Sequence, residues 1–232
     1  MSHRLGDALT EARWASDALA GRKFFLLFLF LLASLILYPY AENTVFGSYV
    51  FRVLGSTAIV LCVYVVSFRR SLVVAALVLA IPTFLHRVLN VGAHLSWFSI
   101  LNVVVSFAFD VFIVVVIFRR VFGPKQPNSE TIFGALCIYL LVGFAFASIY
   151  GMVALVQPRA FYLDPLANIH TVPDRLDFVY YSFGTMTSLG ASGITPVSAE
   201  ARSISVIEAI VGVLYLAVLI SRLVGAYRHP TG

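Results

Sequence analysis

The 232-residue chain is 60% apolar and only 12% charged, with a net charge of +5. Soluble domains hold roughly 45–50% apolar residues, and so few charges could not cover this much apolar surface in water. The composition excludes an ordinary soluble domain. The basic residues stand at the ends of apolar segments rather than in one patch, which removes nucleic acid as a partner and leaves the lipid bilayer.

Residues 1–23 form a polar, amphipathic-looking cytoplasmic tail. The first apolar run begins at Phe24 and lacks a small-residue cleavage site, so it reads as a retained span rather than a signal peptide. A span needs about 20 mainly apolar residues. Six candidates follow: Phe24–Tyr40, Tyr49–Phe68, Leu72–Leu89, Trp97–Phe122, Ile132–Val156 and Ile204–Tyr227. With both termini inside, eleven of the sixteen basic residues fall on the inner side, among them Arg22, Lys23, Arg69, Arg70, Arg119, Arg120 and Arg222. The positive-inside bias therefore predicts an even number of spans in a cell (inner) membrane, with both ends cytoplasmic.

The segment "GPKQPNSE", residues 123–130, is the clearest linker. It separates a four-span block, residues 24–122, from a C-terminal module, residues 131–232. The block is not a voltage sensor, because the fourth span carries no Arg or Lys at every third position between Trp97 and Val116. Asp110 lies mid-span there and reads as an interhelix polar contact. Pro82 is expected to kink the third span. Cys62 and Cys137 fall inside apolar stretches and read as core thiols. The histidines show no ligand spacing, so no metal site is indicated. No paired acids, Ser–His arrangement or HExxH-type cluster supports an enzyme.

Between the fifth and sixth spans lies a long outer loop, Gln157 to Ser203. Within it, Pro173 and Asp174, with Asp177 in the first turn, mark a helix start. The apolar stretch that follows is too short to cross a bilayer. It fits a re-entrant half-helix, which membranes tolerate only where it is buried in protein or lines water. The fold class is therefore all-α integral membrane: six transmembrane helices with a re-entrant pore helix and filter loop between the fifth and sixth.

The run "TMTSLGASGITP" and its flanks "YYSFGTMTSLG", "ITPVS" and "EARSISVIEAIVGVLYLAVLISRLVG" resemble the pore module of the two-transmembrane potassium-channel superfamily, bacterial members above all. The resemblance spans about Thr131 to Tyr227. It implies a homotetramer around one pore, in which backbone carbonyls and a hydroxyl replace the water around K⁺. By position it assigns the filter and ion path to Thr187, Ser188, Leu189, Gly190, Ala191, Ser192 and Gly193. Ser188 keeps a hydroxyl, and Gly190 keeps a residue that tolerates positive φ. The next three positions depart. Ala191 replaces the tyrosine that packs behind the filter. Ser192 replaces a glycine in a left-handed conformation, at roughly 1–2 kcal/mol per subunit. Gly193 replaces an acid and removes four charges from the outer mouth.

The resemblance thus implies passive monovalent cation passage, K⁺ foremost, with weakened or lost selectivity and no cofactor. The C-terminal end of the half-helix, near Thr187, would favour cations through its dipole. The broken filter keeps a second reading open, a non-conducting, channel-derived protein acting through partner or lipid binding. No motif indicates a regulatory partner. In the sixth span, Glu208 is either a pore-lining acid or a scaffold acid bonded to a hydroxyl behind the pore helix, the second being preferred. Gly212 is either a hinge or a close-packing point. Tyr215 and Leu219 are candidates for gate lining, where bulky apolar groups close a pore by dewetting.

Overall fold

A computed structural model describes residues 23–37, 45–66, 70–89, 96–123, 129–168, 171–190 and 193–227. The expected 1–23 tail lies outside these residues except for Lys23, as do most of the linker and the filter positions Ala191 and Ser192. The described elements are α1 (Lys23–Ile36), α2 (Val45–Val66), α3 (Arg70–Leu89), α4 (Ser96–Val121), α5 (Ser129–Val156), β1 (Phe161–Leu163), α6 (Arg175–Met186), β2 (Ile194–Pro196) and α7 (Ala199–Tyr227). Among the described residues the architecture is all-helical apart from one two-stranded ribbon, which the sequence does not announce because three-residue strands are too short to show an alternating pattern. Pro82 lies inside α3, which continues through it.

Two of the described helices, over Glu130–Val156 and Ala199–Val224, are long and apolar enough to cross a membrane. Their sequences are apolar on every face, which is how a span reads and not how a surface helix of a soluble protein does.

The centre of the fold is α5. It packs against α1, α4, α6 and α7. One buried cluster joins Leu27 and Leu31 of α1, Ile113 and Ile117 of α4, and Ile138 and Leu141 of α5. Polar contacts fix the register of α1 on α5. The Glu130 carboxylate accepts from the Phe24 backbone N–H at 3.1 Å, at the start of α1 where N–H groups lack partners. The Cys137 thiol donates to the Phe24 carbonyl at 3.3 Å. At the other end of α5, a second cluster gathers Tyr150, Phe161, Phe178 and Tyr181 edge to face, and so binds α6 and β1 to the same helix.

The twelve residues of α6 make a helix only about 18 Å long. Its start is where the Asp174–Asp177 pattern puts it. Asp174 is extended, with φ −99° and ψ −176°. Its carboxylate accepts from the Leu176 N–H at 2.7 Å and the Asp177 N–H at 2.9 Å. Asp177 accepts in return from the Asp174 N–H at 2.8 Å, which completes a capping box.

Replacing Asp174 with Ala leaves two N–H groups of α6 without that carboxylate. The expected loss is about 0.5–2 kcal/mol, with Asp174→Asn retaining most of the stability. Chemical unfolding in detergent, followed by helix content, checks the ranking.

Candidate functional site

The site is built around the C-terminal end of α6. Two helices, α5 and α7, hold that short helix from behind. Gly143 of α5 lets the Phe183 ring approach so closely that an added Cβ would stand 2.7 Å from it. Gly212 of α7 does the same for the backbone of Met186, whose carbonyl oxygen would lie 2.6 Å from a Cβ at that position. Small residues at both contacts bring the helix axes together, as membrane helices commonly do. The structure thus places Gly212 in a tight helix–helix contact, within an α7 that runs unbroken from Ala199 to Tyr227.

Hydrogen bonds lie between these contacts. Glu208 of α7 is 0% exposed, and its side chain meets two hydroxyls. The Tyr150 hydroxyl of α5 donates to Glu208 Oε2. Ser182 Oγ of α6 lies 2.5 Å from Glu208 Oε1 and 2.7 Å from the Gly143 carbonyl oxygen. One turn outward, Tyr181 and Ser205 share a 2.7 Å hydrogen bond, and Ser205 donates on to the Ala201 carbonyl at 2.8 Å. Glu208 therefore sits in the contact between α5, α6 and α7. A hydroxyl partner was legible in the chemistry of the position. That the partners are Tyr150 and Ser182 was not, since they lie 58 and 26 residues away.

At its C-terminal end, α6 gives way to a tight corner. Thr187 caps the helix in αR conformation, its N–H and hydroxyl both donating to the Phe183 carbonyl, at 3.0 and 2.6 Å. Ser188 then turns left-handed, with φ +59°. A non-glycine residue there is strained by roughly 1–2 kcal/mol, and nothing in the sequence marks Ser188 for it. Gly190 follows at φ +79°, and its N–H reaches back to the Gly184 carbonyl at 3.1 Å. Thr187, Ser188, Leu189 and Gly190 are all exposed, Leu189 at 76%. A Cβ on Gly190 would meet nothing within 4 Å.

Beyond positions 191 and 192 the chain is anchored again. Gly193 has φ +94°, and a Cβ there would stand 2.9 Å from both Ala167 Cβ and Asn168 Nδ2. Its carbonyl accepts from the Asp164 N–H and from the Asn168 side chain, each at 2.8 Å. β2 then pairs antiparallel with β1, Leu163 opposite Ile194 and Phe161 opposite Pro196. Asn168 is the residue that sequence reasoning missed here. Position 193 reads in sequence as a lost acid, whereas in the fold it is a place where a side chain does not fit.

The predicted residues of α7 share one stripe. Glu208, Gly212, Tyr215 and Leu219, with Ser205 before them, recur every three or four positions and face α5 and α6. The Tyr215 hydroxyl donates to the Ala135 carbonyl of α5 at 2.6 Å, and its ring stands beside Tyr139 and Phe122. Leu219 is buried in the main core. The structure thus puts Tyr215 and Leu219 in the α5–α7 contact, while Ile207, Ile210, Val213, Leu214 and Val218 occupy the uncovered side of α7. Asp110 lines a cavity of about 80 Å³ between the four-helix block and α6, together with Ser34, Thr83, Ser106 and Arg175. Among the described residues, no three His, Cys, Asp or Glu side chains come together as a metal site.

Residues 134–229 match the family model described as "Ion channel". The match begins inside α5 and ends just past α7, so it covers the elements that surround the corner and leaves the four-helix block outside. No curated protein and no solved structure matches the chain.

Gly193→Asp, the change that returns the acid of similar filters, forces a side chain against Asn168 in a left-handed backbone. The expected outcome is a destabilised ribbon, by about 1–3 kcal/mol. Gly193→Ala should show part of the same loss, since Cβ alone makes the clash. Thermal unfolding midpoints of the two variants against the parent chain check it.

Proposed function

We propose that four copies of the chain assemble around the Thr187–Gly190 corner and pass monovalent cations passively, with little discrimination between K⁺ and Na⁺. In this reading the chain crosses a cell (inner) membrane six times with both termini cytoplasmic, and α6 is a re-entrant pore helix. The observation that carries it is the corner itself. A short helix, fixed from behind by two spans, ends in exposed, hydroxyl-bearing backbone within the segment that matches the ion-channel family model.

The electrostatics favour cations. The C-terminal end of α6 carries the negative end of its dipole, and the Thr187 and Ser188 hydroxyls add oxygen at the same place. One copy supplies only one wall of a filter, and its α7 leaves a long apolar side uncovered. Further copies would cover that side and close the ring of carbonyls. The weak selectivity follows from the filter residues, which lack the tyrosine cuff, the second glycine and the acid of K⁺-selective relatives.

A cysteine scan tests the assignment. Cys62 and Cys137 are buried, so a cysteine placed at Leu189 is the thiol open to a bulky charged reagent. In liposomes, Leu189→Cys protein should carry both K⁺ and Na⁺ and lose most of that flux on labelling, while the parent chain keeps it. Native mass measurements should give a tetramer. A monomer or dimer, or flux indifferent to the label, overturns the proposal. Tetramers without flux replace it by the non-conducting reading.

A further inference from the structure

The contact behind α6 contains more heavy-atom pairs than its hydroxyl groups can bridge. Three close contacts run in line: Tyr150 hydroxyl to Glu208 Oε2, Glu208 Oε1 to Ser182 Oγ at 2.5 Å, and Ser182 Oγ to the Gly143 carbonyl at 2.7 Å. Each needs one hydrogen. Tyr150 and Ser182 carry one hydroxyl hydrogen each, and the Gly143 carbonyl carries none. Two hydrogens cannot serve three contacts. With Glu208 ionised, Ser182 must choose between the carboxylate and Gly143, and the contact it gives up sets lone pair against lone pair at hydrogen-bond distance.

We infer that Glu208 is held as a neutral carboxylic acid and that its proton is the third hydrogen of a directed chain, Tyr150 to Glu208 to Ser182 to the Gly143 carbonyl. The Glu208 acid accepts from Tyr150 on Oε2 and donates through Oε1 to Ser182. Ser182 then donates to Gly143. Every group is satisfied and no charge is left at depth. Burial argues the same way. Tyr150, Ser182 and Glu208 are each 0% exposed, and both partners of the carboxyl group are hydroxyls, neither of them a base. An unpaired carboxylate in such surroundings is among the costliest groups a membrane protein can hold.

The chain links α5, α6 and α7 in one direction, and it passes through Ser182, five residues before Thr187. Glu208 is therefore a positioning residue. Its proton fixes how far α6 extends and where the Thr187–Gly190 corner stands. That bearing on the corner rests on the pore reading above, whereas the proton itself does not.

Glutamine separates a proton from a charge. Its amide donates at one atom and accepts at the other, as the acid does, but it cannot ionise. Full-length protein in lipid should show an infrared band of a protonated carboxyl group that shifts in D₂O and is missing from Glu208→Gln. Glu208→Gln should unfold at close to the parent midpoint and keep the parent flux. Glu208→Ala, which strands Tyr150 and Ser182, should raise the unfolding equilibrium constant on the order of tenfold or more. A spectrum in which Glu208→Gln removes only an ionised-carboxylate band overturns the inference. So does a Glu208→Gln variant as unstable as Glu208→Ala. Absence of flux in every variant counts against the pore and leaves the infrared band to decide the proton.

Discussion

Buried polar groups must find partners within the protein, and in this chain that requirement decides where α6 stands. Apolar contact alone fixes a helix poorly in lipid, because lipid tails are as apolar as leucine. α6 is also too short to be held by spanning. Its place is set by close approach at Gly143 and Gly212, which determines distance, and by directed hydrogen bonds at Ser182 and Tyr181, which determine register. Remove either kind and the other no longer specifies a position: small residues allow sliding, and hydroxyls allow several pairings. The corner at Thr187 inherits its location from this double constraint.

The same reasoning explains which parts of the molecule were legible in the sequence. Spans are long apolar runs, and α5 and α7 end where expected, at Val156 and Tyr227, while they start three and five residues earlier than expected. The start of α6 was legible because Asp174 and Asp177 advertise a cap through local chemistry alone. A hydroxyl partner for Glu208 was legible because a carboxyl group in an apolar helix has few other fates. The faces of α7 were harder. Tyr215 and Leu219 read as gate candidates because a helix apolar on all sides offers no contrast between its faces. Glu208 supplies that contrast: counting seven and eleven positions on from it places both residues on its own buried stripe. Gly193 was not legible at all. Its reason for being glycine is Asn168, which stands 25 residues earlier and meets it only through the fold.

Gly193 also changes the meaning of the departures from similar filters. Read as a string, positions 191 to 193 look like three losses of one design. In the fold, position 193 belongs to a different arrangement, in which the Asp164–Asn168 turn takes the carbonyl of Gly193 and its own packing fills the space an acid would need. The glycine there is a requirement of this outer turn, and it gives the loop a fixed exit into β2.

Support at the two ends and support from the side have different consequences for ions. Thr187 is tied to α6 and Gly193 to the Asp164–Asn168 turn, so the chain is anchored on both sides of positions 191 and 192. Among the described residues, a Cβ on Gly190 would meet nothing within 4 Å. In the proposed pore, a path anchored at its ends and open beside Gly190 would hold ions without holding a diameter. Discrimination between ions of equal charge requires that carbonyls resist moving toward the smaller ion or keep a fixed number and field around it, and in the proposed pore the open space beside Gly190 offers no packing to supply that resistance. In that reading the attraction for cations is independent of this, since it would come from the end of α6 and the hydroxyls beside it. The proposed function thus rests on two separable properties: a scaffold that places a cation-attracting corner, and a backing that would make such a corner selective, and a chain can hold the first without the second.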